Sequence, residues 1–254
     1  MGNRRGNYIM EPLIKLENVW KKFKLGGIEV PVLRGVNLDI TQESFATIMG
    51  PSGSGKSTLM YLLGLLDTPS EGKIYMQGQD VAGFSDDKLA QLRGEKIGFI
   101  FQQFNLLQNL TALENVMLPM IFQGVPEEER KDKAKKLLES VNLGKRMSHK
   151  PSEMSGGEQQ RIAIARSLVN NPEILIADEP TGNLDSSTGK MVMEILTKLH
   201  KEQKKTIVVV THDPNIAHYS HNIIHIQDGQ IVANHFKDKD ILWEQENNNQ
   251  SKDV

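Results

Sequence analysis

The sequence predicts an α/β fold: a core built on a mostly parallel sheet, an antiparallel β subdomain ahead of it, and a helical subdomain inserted into it. Three observations carry this expectation. GPSGSGKS, Gly50 to Ser57, follows one apolar strand and precedes a helical pattern. EILIAD (173–178) and TIVVVT (206–211) are nearly continuous in apolar residues, as strands covered on both faces of a parallel sheet are. Between about 105 and 170 the pattern changes to that of helices.

Each element follows in order. From Ile14 to about Ile40, runs such as VNLDI (36–40) alternate apolar and polar residues, and Gly26-Gly27 supplies a turn, which predicts an antiparallel region with one solvated face. SFATIM (44–49) is the strand that enters the glycine loop, and YLLGLL (61–66) continues the helical pattern behind it. EEERKDKAKKLLESVNLG (127–144) places Ala134, Leu137, Leu138 and Val141 on one face, begins after Pro126 and stops at Gly144. No internal repeat is visible.

Length and composition set bounds. The 254 residues suffice for one large domain or two coupled lobes. With 38% hydrophobic residues, 24% charged and a formal net charge of −2, the composition is that of an ordinary globular chain and offers no global basic field, so no nucleic-acid partner is expected. The absence of cysteine excludes disulfides and thiolate metal sites and fits a reducing cytosol. No apolar run approaches the roughly 18 residues that a membrane span needs; MLPMIF (117–122) is among the longest. Residues 1–11 read as a loose extension without a secretory signal, and 236–254, ending in EQENNNQSKDV, as a polar tail.

The glycine loop fits G-x-x-x-x-G-K-[ST] completely. Its glycines let successive N–H groups point at a phosphate, and the following helix adds its positive end. Gly50, Pro51, Ser52, Gly53, Ser54, Gly55, Lys56, Ser57 and Thr58 are the expected ATP-binding set, with Lys56 on the β and γ phosphates and the Ser57 hydroxyl on Mg²⁺. ILIADEP (174–180) puts two carboxylates at the carboxyl end of a buried strand, the edge where open α/β sheets bind ligands. Asp178 is expected to hold Mg²⁺ through water and Glu179 to polarise the attacking water. An N-cap plus a solvated acid is the plainer reading of that pair, and the glycine loop is what tips it toward catalysis. His212, in VVVTHD, reaches the same edge.

MSGGEQQR (154–161) contains a capping box, Ser155 as N-cap and Glu158 at the third helical position. A capping box does not need glycines at its first two helical positions, where they weaken the helix. Gly156 and Gly157 therefore suggest a second anion site, open to the nucleotide held by another copy of the chain.

Together these residues resemble the ATP-binding cassette (ABC) ATPases, the nucleotide-binding subunits of ABC transporters, and within them the branch that energises lipoprotein-release, macrolide-efflux and cell-division permeases. The resemblance covers about residues 12–235 and rests on motifs in the family's order: the P-loop, FQQFNLL (101–107), MSGGE (154–158), ILIADE, NLD (183–185) and THD. It implies a P-loop NTPase core and roles beyond those read from the residues alone. Phe23 matches the aromatic that stacks on adenine, Gln102 the glutamine that senses Mg²⁺ and the membrane partner, Asp185 the acid that couples two sites, and His212 the switch histidine. Ser155, Gly156, Gly157 and Glu158 match the trans signature, whose Ser155 and Gly157 contact the γ phosphate bound by the partner. The implied protein is an ATPase that forms a homodimer around two Mg-ATP and drives a transmembrane permease from the cytoplasmic, inner face of the membrane, in export or extraction.

Met154, Glu158 and Phe23 depart from the family's more usual Leu, Gln and Tyr. The apolar segment FNLLQNLTALENV (104–116), with Thr111 and Glu114 at capping-box spacing, either packs the helical lobe or lines a groove that receives a permease helix. Two rivals are an ATP-dependent regulatory module that signals through a membrane partner without transport, and a cassette acting on DNA or ribosomes. Tandem cassettes or a long coiled-coil insertion, usual in the latter, are absent from this sequence.

Overall fold

The computed structural model describes residues 12–236. The extension over 1–11 and the tail beyond 236 lie outside the described residues. Phe236, which the sequence assigns to the tail, instead ends a strand and pairs with Asn222. The described chain runs β1 (Pro12–Leu25), β2 (Ile28–Thr41), β3 (Phe45–Met49), α1 (Lys56–Leu63), β4 (Glu71–Met76), β5 (Gln79–Asp80), α2 (Asp86–Lys96), β6 (Ile97–Ile100), α3 (Ala112–Phe122), α4 (Glu127–Ser140), α5 (Gly156–Leu168), β7 (Ile174–Asp178), α6 (Ser186–Gln203), β8 (Thr206–Thr211), β9 (Asn222–Gln227) and β10 (Gln230–Phe236).

Two sheets result. One is antiparallel, in the order β2-β1-β4-β5, and the other has the order β10-β9-β3-β8-β7-β6 with only its β10 edge antiparallel. Apolar runs in β7 and β8 are continuous because alternate side chains enter different cores. Ile174, Ile176, Val208 and Val210 pack with Ile14, Leu16, Leu59 and Leu62 between the sheets and α1. Leu175, Ala177, Ile207 and Val209 pack with Ile164 and Leu168 of α5 and Val192 and Leu196 of α6 on the other side.

A third core holds the helical lobe, with Val116 and Met120 of α3, Ala134 and Leu138 of α4, and Ile162 and Ala165 of α5. Helix α5 thus belongs to both cores and ties the lobe to the sheet. Helix α3 starts with the capping box expected at Thr111 and Glu114. Buried Asn115 then pins the preceding loop. Its Oδ1 accepts the Leu107 N–H at 2.9 Å, and its Nδ2 donates toward the carbonyls of Leu107, Leu110 and Thr111.

Two helix ends differ from expectation. Helix α4 stops at Ser140 rather than Gly144, because Asn142 adopts the left-handed region (φ 59°) and the Leu143 N–H turns back to Leu138 O at 2.7 Å. Helix α1 stops at Leu63, where Gly64 lies against β6; a Cβ on Gly64 would sit 2.4 Å from Phe99 Cζ.

The Asn115→Ala variant removes four hydrogen bonds and leaves buried groups unpaired. It should lower unfolding stability by about 3 kcal/mol in urea titration, and a loss below about 0.5 kcal/mol would show that the loop holds without it.

Candidate nucleotide site

The loop at Gly50–Ser57 joins β3 to α1 and is shaped by close approach. A Cβ on Gly50 would lie 2.2 Å from Ile226 O, and Gly53 and Gly55 take φ values of 79° and 102° that only glycine adopts freely. Gly55 caps α1, and the Gly229 N–H donates to Ser54 O at 3.0 Å, so the turn between β9 and β10 holds the loop from outside. Lys56 Nζ donates to Gly50 O and Pro51 O at 2.8 and 2.9 Å. Pro51, Ser52 and Ser57 are exposed, and Thr58 is half-buried. The result is a cup of backbone N–H groups at a positive helix end, which suits a phosphate chain.

Beside the cup lie the acids. Asp178 ends β7 and faces Lys56. Burial, then the neighbouring Glu179 charge, pushes its carboxyl above the ordinary range, against the pull of Lys56. Glu179 takes φ 42°, a left-handed conformation unusual for a side chain of this size, and its N–H is held by Val210 O at 2.8 Å. Its Oε1 accepts from His212 Nδ1 at 2.7 Å. That bond puts the ring proton on Nδ1 and leaves Nε2 as an acceptor while the ring is neutral. Gln102 arrives from the end of β6. The space that a Cβ on Gly182 would need is taken by Gln102 Nε2 at 2.8 Å and Glu179 Oε2 at 3.3 Å. A cavity of about 410 Å³ opens here, lined by Glu179, Thr181, Gly182, Thr211, His212 and their neighbours.

Gly182 escaped the sequence reading, as did three side chains that fix these segments. Asn183 Nδ2 donates to Gln102 O at 2.9 Å, Gln160 Nε2 to Pro180 O at 2.7 Å, and Arg166 to the carbonyls of Phe104 and Asn105. The one available signal was their position within or beside motifs. Nothing in a sequence says that a polar side chain serves a distant backbone.

The signature segment starts α5. Ser155 and Glu158 form the expected capping box of α5. Glu158 is ionised well into the acid range, chiefly through the Ser155 N–H and with Arg146 assisting. Gly157 has a reason that the sequence could not show: its Cβ would meet Thr188 Cγ2 at 2.2 Å, so any larger residue there displaces the Thr188 side chain at the α5–α6 contact, a packing reason that involves no ligand. Gly156 meets only ordinary contacts, the nearest at 3.5 Å, and keeps the argument for an open helix end. Asp185 caps α6 through the N–H groups of Ser187 and Thr188, and the Ser187 hydroxyl first, then the Thr188 side chain and these N–H groups, hold its carboxyl far below the usual range. The contacts of the signature thus run to the start of α6 and to Arg146.

Phe23 is 41% exposed on the β1–β2 hairpin, with Lys21 Nζ 5.2 Å from its ring centre. That hairpin abuts the phosphate loop through Val32 and Leu33, both near Gly55. The segment 104–116 largely packs the lobe: Leu106, Ala112 and Val116 are buried, with Phe104 and Leu113 against them. A groove of about 740 Å³ nevertheless lies next to Gln102, lined by Phe99, Phe101, Pro119, Phe122 and Arg166, with Asn105 the one contributor from 104–116. Phe122 is 86% exposed.

Comparison with known proteins finds a family and solved relatives. Residues 33–182 match the family model for ABC transporters. An uncharacterized ABC transporter ATP-binding protein of Thermotoga maritima is 52% identical over 222 residues, 87% of this chain and 94% of that one. The macrolide export ATP-binding/permease protein MacB of Brucella abortus is 49% identical over 222 residues, which make up 87% of this chain but 34% of that one. The cassette MJ0796 of Methanocaldococcus jannaschii, solved as a dimer in a post-hydrolysis state bound to ADP and Pi, superposes with a TM-score of 0.81 at 48% identity over 88% of this chain and 98% of that chain.

The Asp178 carboxyl gives a test free of nucleotide. Its raised pKa means that the folded chain keeps a proton that the unfolded chain releases, so stability falls as pH rises from the ordinary value of 3.8 through the raised one and stays lower above it. Asp178→Asn removes that cost. Its Tm at pH 7, without nucleotide or metal, should exceed that of the native chain by about 1–3 °C and the gap should close near pH 3; a lower Tm at pH 7 would contradict the burial argument.

Proposed function

Since the chain belongs to the ABC transporter family and carries that family's ATPase domain, we propose that two copies close around two Mg-ATP and that closure and hydrolysis drive a membrane permease. The observation that carries the reading is the Glu179–His212 pair at the carboxyl edge of the parallel sheet, beside the phosphate cup and Asp178.

In this mechanism the N–H groups of Gly53, Gly55, Lys56 and Ser57 surround the phosphates, and Lys56 turns from its loop carbonyls to the β and γ oxygens. Phe23 stacks on the adenine. The donors for a magnesium ion fit its chemistry: the exposed Ser57 hydroxyl, the Gln102 amide and the Asp178 carboxylate, whose burial lacks a full counter-charge, are hard oxygen ligands. Among the described residues no group of three His, Cys, Asp or Glu forms a metal cage, so such an ion relies on phosphate oxygens and water as well. When bound, it neutralises charge on the β and γ phosphates. Glu179, held by its strained backbone and by His212, orients and deprotonates the attacking water, while His212 Nε2 faces the γ phosphate.

The other half of the site is proposed to come from a second copy. Ser155 and the open N–H at Gly156 cap the γ phosphate from the opposite side, and Asp185, at the start of the helix packed on Gly157, reports closure to the neighbouring site. Support comes from the dimeric state of MJ0796 and from the exposure of Ser155 at the start of α5, where Gly156 meets only ordinary contacts. The partner in the membrane is proposed to dock in the groove lined by Phe99, Phe101, Pro119 and Phe122, adjacent to Gln102. The MacB relatives, whose name joins ATP-binding and permease functions, favour an export or extraction role at the inner face of the membrane. Among the described residues no helix is long and apolar enough to cross a membrane.

Glu179→Gln should lower kcat for ATP at least about 100-fold while leaving KM within about threefold. An unchanged kcat would remove Glu179 from the mechanism.

A further inference from the structure

One feature of the signature works against phosphate capping. Glu158 places a carboxylate in the first turn of α5, where the helix end carries only about half a positive charge. An unscreened −1 there would oppose an incoming triphosphate. Both carboxylate oxygens are occupied, however. Oε2 accepts the Ser155 N–H at 2.9 Å, and Oε1 accepts Arg146 Nε at 3.0 Å, with the Glu158 side chain 17% exposed.

Arg146 is well placed to hold that bond. It closes the short 3-10 turn Gly144–Arg146, its N–H donates to Leu143 O at 2.9 Å, and its own carbonyl accepts the His149 N–H at 3.0 Å. Leu143 is buried in the lobe core beside Val141 and Leu138. The guanidinium, on a side chain 43% exposed, therefore reaches the signature from a hydrogen-bonded turn of the helical lobe, at a residue 12 positions away in sequence.

We propose that Arg146 is a positioning residue of the shared ATP site, neutralising Glu158 and fixing its carboxylate in the capping box so that the start of α5 accepts the phosphate held by the other copy. The inference rests on the reading of the signature as a cap on the partner's nucleotide. Arg146 acts through Glu158 alone, so its effect depends on the charge at 158.

The test is a double-mutant cycle in full-length Glu179→Gln protein, with ATP-driven dimerisation followed by light scattering. Arg146→Ala should raise the ATP concentration at half-dimerisation about fivefold or more when residue 158 is Glu, and leave it unchanged in the Glu158→Gln background. Arg146→Lys, which keeps the charge, should recover part of the loss, and the Arg146→Ala effect should shrink from about 50 mM to about 500 mM salt. An equal loss in both backgrounds would overturn the proposal and make Arg146 a packing residue, as would no loss in either. If the Glu179→Gln parent with Arg146 intact stays monomeric in ATP, the capping reading itself falls and takes this inference with it; a dimerising parent isolates the role of Arg146.

Discussion

Strand register across β3, β8 and β7 is the constraint on which the site depends. Met49 pairs with Thr211, and Asp178 pairs with Val210, in parallel ladders that end almost level. Three consecutive strands, about 4.8 Å apart, thus deliver the phosphate loop, the two acids and His212 to one edge. A parallel sheet buried on both faces cannot slip without moving every side chain into the wrong core, so the Ile176, Val208 and Val210 packing that stabilises the fold also fixes the spacing of the loop, the acids and His212. The strained φ of Glu179 sits where that ladder ends, held by Val210 O, and the sheet's stability is what sustains the strain.

The same economy governs the helical side. Helix α5 packs Ile164 and Leu168 on the sheet and Ile162 and Ala165 in the lobe, so the signature at its start is fixed relative to both. Gly157 lets α5 touch α6, and Asp185 caps α6 at that contact, which gives the signature and the 183–185 segment a common foundation. Charge is handled locally: Glu158 by Ser155 and Arg146, Asp185 by the Ser187 hydroxyl and the N–H groups it caps. Asp178 is the contrast, a carboxylate whose burial is left partly uncompensated at the place where a divalent cation with a nucleotide is expected.

Where the physics was local, the sequence was legible. The phosphate loop, the strands β3, β7 and β8, and the capping boxes at Thr111 and Ser155 follow from apolar runs and short-range hydrogen-bond chemistry. Helix α2 did not show, because Leu89 is its one buried residue and a polar helix carries no period; the Ser85 cap was its available signal. Strands β5 and β6 have two and four residues, and the six of β4 bury only Ile74 and Met76, too little for a clear alternation. Helix α4 ends before Gly144 because Asn142, two positions earlier, makes the left-handed turn, and asparagine is a weaker stop signal than glycine. The packing reason for Gly157, the pinning of Gln102 by Asn183 and the residues lining the groove are all tertiary, and no single-chain pattern encodes them.

The central claim is that each catalytic site joins the phosphate loop of one copy to the signature of another, and mixing two inactive variants tests it most directly. Lys56→Ala keeps its signature and Ser155→Arg keeps its phosphate loop, so each should be inactive alone. A mixed dimer regenerates one intact site, and an equimolar mixture should recover ATPase activity toward about a quarter of the native rate, as random pairing of the two chains allows. A mixture no more active than its parts, alongside an active native protein, would contradict the shared site; so would full activity of Ser155→Arg alone.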